Sequence, residues 1–252
     1  MEEKITSLKK TVETSPQVYA RTGGVLYLVI IIAGMFAVIL VRDKLIVSGD
    51  AAATAHNIMA NQLLWRFGIV ADLFMHVLDI PVMWIIYLLL RLVNKNLALL
   101  VVLFNLIQTA VLVANKLNLI WPLLQLGSVD YLKTVEPNQL YAQVYLYIKM
   151  HDTGFGVGLI FFGFVCLVEG YLIFKSGYLP KTIGVLMQIA GLCYLTNSFT
   201  LLLAPKLASM LFPAILMPGF IAELSFCLWL IVKGVNVTKW EEKANAWRIS
   251  GA

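Results

Sequence analysis

Six stretches of this chain are long and apolar enough to cross a hydrocarbon layer: residues 23–41, 67–90, 97–124, 150–174, 183–203 and 211–232. A bilayer core about 30 Å thick takes about 20 residues of helix at 1.5 Å each. With no water to satisfy N–H and C=O groups, only helices or closed barrels span lipid, and barrel strands are half this length and alternate in polarity. The runs therefore predict an all-α, polytopic transmembrane bundle of about six helices. Composition agrees. The chain is 60% apolar and 13% charged, with a mean hydropathy of +0.85, against about half and a quarter in soluble domains. Six spans use roughly 120 of its 252 residues, which leaves tails and two long loops but no second domain. The expected division is an N-terminal tail (1–22), a six-helix transmembrane domain (23–232) and a C-terminal tail (233–252).

Orientation follows from the basic residues. Twelve of the nineteen Lys and Arg fall in the two tails and the second and fourth connections. Six fall in the other three connections, and Lys116 lies within a span. Cytoplasmic loops carry the excess, so both termini are expected in the cytoplasm of a multi-pass cell-membrane protein. The net charge of +5 is spread over loops rather than gathered with aromatics, so no nucleic-acid partner is expected; the bilayer is the expected partner. Cys166, Cys193 and Cys227 share no short spacing and read as small packing residues. Residues 1–20 are polar, so the first span reads as an uncleaved anchor. Short external helices are expected in the first and third loops of the chain, both extracytoplasmic, the first capped at Asp50 and the third opened by Pro137. Arg21–Leu26 faintly echoes Lys181–Leu186, at the starts of two spans running the same way.

Polar residues within spans carry the information about function. A charged side chain at mid-bilayer costs about 2.5–3.5 kcal/mol on insertion scales. Asp79 and Glu223 fall near mid-span, so they must be protonated, paired or hydrated, and none of these is met facing lipid. At 100° per residue Asp72, His76 and Asp79 share one narrow helix face. Asn105, Gln108, Asn115 and Lys116 share another. Asp72, His76, Asn115, Lys116, His151 and Asp152 fall in the half of the membrane away from the termini, so an outward-opening polar pocket with an acidic floor is expected. Lys116 reads as the charge partner of Asp79 or Glu223. Asn105, Gln108 and Asn197 read as interhelical hydrogen-bonding groups, and Glu169 as a residue reaching the membrane surface.

Asp72 and His76, spaced i and i+4, together with His151 and Asp152 also form a candidate metal set, which would activate water for hydrolysis within the membrane. No His-Glu-x-x-His element, Gly-x-Ser-x-Gly elbow, phosphate loop or dinucleotide fingerprint is present, and no cofactor is expected. Four glycines between 154 and 163 predict close helix approach. Pro213, Pro218 and Gly219 predict a kink that frees carbonyls beside Glu223.

Arg21–Gly34, 50–58 (DAAATAHNI), 64–73 (LWRFGIVADL), 151–163 (HDTGFGVGLIFFG) and 170–191 (GYLIFKSGYLPKTIGVLMQIAG) resemble the membrane family known as domain of unknown function 4386. The resemblance implies a bacterial six-helix membrane protein and brings no activity with it. It adds Arg66 to the candidate pocket and includes Asp72 and the His151-Asp152 pair. Where this chain has Asn105 and Gln108, the family pattern carries an arginine and an acid, so a structural role is implied for that neutral pair. The expected function is small-molecule or ion binding or transport, with Asp79 or Glu223 as the proton- or cation-coupled carboxyl and Arg66, Asp72, His76, Lys116, His151 and Asp152 around the pocket. A metal-dependent intramembrane hydrolase and a non-catalytic partner or sensor are the alternatives.

Overall fold

A computed structural model describes residues 15–127 and 135–250. Lys4, Lys9, Lys10 and Lys133, which entered the orientation count, lie outside the described residues. All regular structure among the described residues is helical. The helices are α1 (Pro16–Leu45), α2 (Ala51–Ala60), α3 (Gln62–Leu90), α4 (Lys95–Asn115), α5 (Leu117–Gln125), α6 (Pro137–Ser176), α7 (Lys181–Leu203), α8 (Pro205–Leu211), α9 (Met217–Val232) and α10 (Val237–Ser250). Six helical stretches are long and apolar enough to cross a membrane: α1, α3, α4 with α5, α6, α7, and α9 with the short 3₁₀ turn before it. Large apolar side chains such as Val70, Phe74, Val77 and Trp84 point outward from α3, as lipid-facing positions require.

One end of the bundle gathers both ends of the described chain and is tied by hydrogen bonds between elements distant in sequence. Gln17 Nε2 donates to the Lys233 carbonyl, the Asn236 amide to the Tyr178 carbonyl, and Lys243 Nζ to the Lys175 and Ser176 carbonyls. The last two carbonyls are among those a helix leaves unpaired at its C-terminus. Within the stretch beyond 232 expected as a tail, residues Val237–Ser250 form α10, which packs on this terminal end through Trp240 and Lys243. Leaving water for that contact pushes the Lys243 ammonium pKa down. The buried Tyr178 hydroxyl donates to the Leu89 carbonyl at the close of α3, at 2.5 Å, and burial pushes its pKa up, so it stays a donor. Tyr178→Phe removes this donor from the Leu89 carbonyl. The expected cost is about 1–3 kcal/mol, read as a lower thermal midpoint in detergent with unchanged helicity.

Two apolar cores stack along the bundle. The larger includes Tyr27, Leu89, Val101, Cys166, Met187 and Phe226, between the six spans. The smaller includes Val41, Ile58, Trp65, Leu119, Val144 and Ile148, towards the far end. Trp65 is wholly enclosed there and donates its indole N–H to the Leu119 carbonyl. At 40 residues, α6 is about 60 Å long, twice the hydrocarbon thickness. The helix opened by Pro137 is thus not a separate short element; it runs unbroken into the fourth span. Its first turns stand clear of the hydrocarbon and carry α2 and α5 against them. Gln125 donates to Gln143, and Trp121 stacks on Tyr147.

The glycines of α6 behave as their spacing predicts. A Cβ on Gly170 would lie 2.6 Å from the Gly184 carbonyl, and one on Gly191 would lie 2.6 Å from the Gly163 carbonyl, so α6 and α7 touch backbone to backbone. The echoing starts of α1 and α7 serve different partners. Gly24 faces Cys227 and Ile231 of α9, whereas Gly184 faces α6. The sixth span departs from expectation. Pro218 occupies the first turn of α9, where a missing N–H costs nothing, so it starts the helix instead of bending it and frees no carbonyl beside Glu223.

Candidate functional site

The polar residues within the spans form two groups at different depths. At 1.5 Å per residue from the basic residues of the terminal end, Arg42, Asp72, Lys116 and His151 all lie roughly 30–35 Å up, at the far edge of a 30 Å hydrocarbon layer. Asp79 and Glu223 lie about 15–18 Å up and Glu169 about 9 Å up.

The far-edge group centres on Asp72, which is 1% exposed. Its Oδ2 accepts from Arg42 at 2.5 Å and lies 3.1 Å from Lys116 Nζ. Lys116 also stands 3.3 Å from Nε2 of His151. An ammonium only donates, so that nitrogen holds the lone pair and Nδ1 carries the ring hydrogen. The Asn115 amide donates to the His151 carbonyl at 2.9 Å, and Asn118 donates to Asn115. A Cβ on Gly154 would collide with the Asn115 side chain, so the glycine is what admits this brace. His76, one turn below Asp72, is buried within range of both the Lys116 and Asp72 charges, and its Nε2 has no partner.

Arg42 reaches Asp72 through an irregular turn. Residues Phe36–Arg42 are wound as a π-helix, with the Asp43 amide bonded to the Val38 carbonyl. A π turn holds an extra residue and re-aims the side chains that follow. The sequence reading counts Arg42 as a loop cation, and no composition signal distinguishes a π turn from the end of a helix.

The mid-depth group is acidic. Glu223 of α9 accepts from the Tyr27 hydroxyl of α1 at 2.9 Å and from the Tyr194 hydroxyl of α7. Asp79 of α3 accepts from Asn105 at 3.1 Å and Thr109 at 2.6 Å, both on α4. Glu169 of α6 is buried, with one oxygen unpartnered. It does not reach a surface as the sequence suggested. Among the described residues no Lys or Arg lies within ion-pair distance of any of the three. Lys116 serves Asp72, not Asp79 or Glu223. Tyr27, Tyr194 and Thr109 escaped the sequence reading because aromatics and threonines are ordinary within spans.

The comparisons with known proteins bear on the chain as a whole. A profile of the family described as a domain of unknown function, DUF4386, matches residues 22–234. The chain belongs to the DUF4386 family. An uncharacterized protein of the archaeon Archaeoglobus fulgidus is 30% identical over 178 residues, which cover 69% of this chain and 87% of the relative. Membership therefore does not by itself specify a bacterial source. No solved structure matches.

In this DUF4386 chain, Asp72, His76, Lys116 and His151 come together, while Asp79 and Glu223 belong to the deeper group. Arg66 is exposed and takes part in neither. Asp152 turns outward, half exposed, to Lys149 at 3.3 Å, with an oxygen 3.7 Å from His151 Nδ1. Asp72, His76 and His151 share this region, yet among the described residues no three His, Cys, Asp or Glu are grouped so that they could hold one metal ion, and Asp152 points away from the other candidate ligands. Asp72 already faces two cations, Arg42 and Lys116, whose field repels a metal ion. The three cysteines are free thiols.

Proposed function

We propose that this DUF4386 protein binds and transports a small molecule or ion across the membrane, coupled to a proton or cation through Asp79 and Glu223. The observation that carries this is the mid-depth group: three carboxyls on three different spans, two of them held by hydroxyl and amide donors, with no Lys or Arg among the described residues in ion-pair distance of any of them. If the need were only to join helices, neutral amides would serve at about 0.6–2 kcal/mol per contact, without the cost of a carboxyl at this depth. Like charges so placed repel when more than one is ionised, so adding or removing one positive charge changes how the spans holding them prefer to pack. All six spans contribute a residue to the group: Tyr27, Asp79, Asn105 and Thr109, Glu169, Tyr194 and Glu223. Loading of a single carboxyl is thereby communicated to every helix. The far-edge group is the entrance, facing the extracytoplasmic side if the basic residues set orientation in the usual way.

The test is solute accumulation in proteoliposomes under an imposed pH or sodium gradient, screened by mass spectrometry from a metabolite extract. At least one solute is expected to accumulate in a gradient-dependent manner. Asp79→Asn with Glu223→Gln is expected to lower that accumulation at least about ten-fold, the equivalent of 1.4 kcal/mol of coupling. Accumulation no greater than in empty liposomes, or undiminished in the double variant, would sink the reading.

A further inference from the structure

The far-edge group is unbalanced in two independent ways, and both identify what completes it. The first is charge. Arg42 and Lys116 bring two positive charges to one carboxylate, Asp72. Asp152, beside His151, is half exposed, with one oxygen 3.3 Å from Lys149 and the other 3.7 Å from His151 Nδ1. A surplus positive charge beside groups only 1% and 3% exposed is costly unless a counter-charge is supplied.

The second is the count of donors against acceptors. A guanidinium has five N–H donors and an ammonium three, and neither accepts. Asp72 takes one bond from Arg42 and faces Lys116, which also faces His151 Nε2. That last contact fixes the His151 hydrogen on Nδ1, a buried donor whose neighbouring acceptor, an Asp152 oxygen, stands at 3.7 Å, beyond hydrogen-bond distance. Buried His76 Nε2 is also unpartnered and can donate or accept according to its tautomer, so the count rests on Arg42, Lys116 and His151. Buried polar groups are nearly always satisfied, and here the shortage is of acceptors. A small anion supplies both the missing charge and the missing acceptors; a cation supplies neither.

We infer that the far-edge group is an anion site that takes a carboxylate or phosphate group, held by Arg42 and Lys116 with the imidazole of His151. The inference deepens the transport reading, since it assigns the chemical class of ligand at the entrance. The approach is from the Arg42 side, because that side chain is 14% exposed while Lys116 and Asp72 are nearly closed off. The π turn that delivers Arg42 places this partly exposed cation against Asp72. An arriving carboxylate or phosphate would share Arg42 with Asp72, leaving Asp72 paired to Lys116 and the group electrically neutral.

The experiment uses the full chain in lipid nanodiscs with no gradient, so it reads binding and is indifferent to whether Asp79 and Glu223 couple anything. Sodium acetate, sodium phosphate, sodium chloride and tetramethylammonium chloride are each titrated in low-salt buffer, with the thermal midpoint as readout. Acetate or phosphate is expected to raise the midpoint saturably, while chloride and tetramethylammonium do so at least about ten-fold more weakly. Arg42→Gln removes the surplus charge and leaves a balanced Asp72–Lys116 pair, so it keeps the fold and is expected to weaken acetate or phosphate binding roughly thirty-fold. Arg42→Lys retains the charge and is expected to keep most of it. Asp72→Asn raises the surplus and is expected to bind more tightly than wild type, a gain that a purely structural ion pair would not give. The inference is overturned if no anion stabilises the wild type saturably, if tetramethylammonium matches acetate and phosphate, or if Arg42→Gln binds as well as wild type.

Discussion

Asp72→Asn is expected to lower stability by about 3–5 kcal/mol, because it leaves Arg42 and Lys116 enclosed together without their carboxylate. The loss far exceeds that of a surface ion pair, which is worth at most about 1 kcal/mol. It is read as a fall in the thermal midpoint of detergent-solubilised protein. The companion experiment separates charge from shape. In Asp72→Asn with Lys116→Met one cation is removed with the anion, and about half of the lost stability or more is expected to return. A midpoint for Asp72→Asn within error of wild type would show that Asp72 does not hold the two cations together.

Gly170→Val is expected to be the most damaging substitution in the α6–α7 contact. A Cβ there would meet the Gly184 carbonyl at 2.6 Å and the Gln188 amide nitrogen at 2.9 Å. Both are backbone atoms of an intact helix, so relief requires the two helices to part. In a membrane, where apolar side chains gain little by leaving lipid, close backbone packing is itself a main source of association. The expected cost is about 3 kcal/mol or more, with loss of a disulfide engineered between facing α6 and α7 positions as a second readout. Gly34→Ala is the control. Its Cβ would meet only the Met75 sulfur, at 3.3 Å, and a thioether end swings aside, so a change of less than about 0.5 kcal/mol is expected.

How much of this was legible in advance varied with the range of the interaction. The six spans follow from run length, because lipid forces a run of fixed minimum size, and the structure has six such helices. The shared face of Asp72 and His76 follows from helical angle alone. The pairing of Lys116 did not follow, since angle and depth on one helix do not say which neighbouring helix will face it; Asp72 and Asp79 both stood on the right face of α3. Arg42 was hidden by the π turn, which shifts it from the end of a span into the bundle. Glu169 was misplaced because depth was judged from sequence distance to Lys175, whereas its burial is set by packing on neighbouring spans. Helix α10 was missed because Val237–Ser250 has mixed polarity and no long apolar run, yet Lys243 and Trp240 anchor it to the bundle.

The 40-residue reach of α6 means that one continuous helix passes through two solvents. Its lower portion is held among neighbours that would otherwise be wetted by acyl chains, and its upper turns, with α2 and α5, bury Trp65, Leu119 and Ile148 away from water. Denaturants such as urea act on the aqueous contribution and carry its heat-capacity signature; the acyl-embedded part has neither. Dissolving the upper assembly would strip the shelter from Arg42, Lys116 and Asp72 before any span let go, so the charged ring stands at the boundary between two melting regimes of a single molecule.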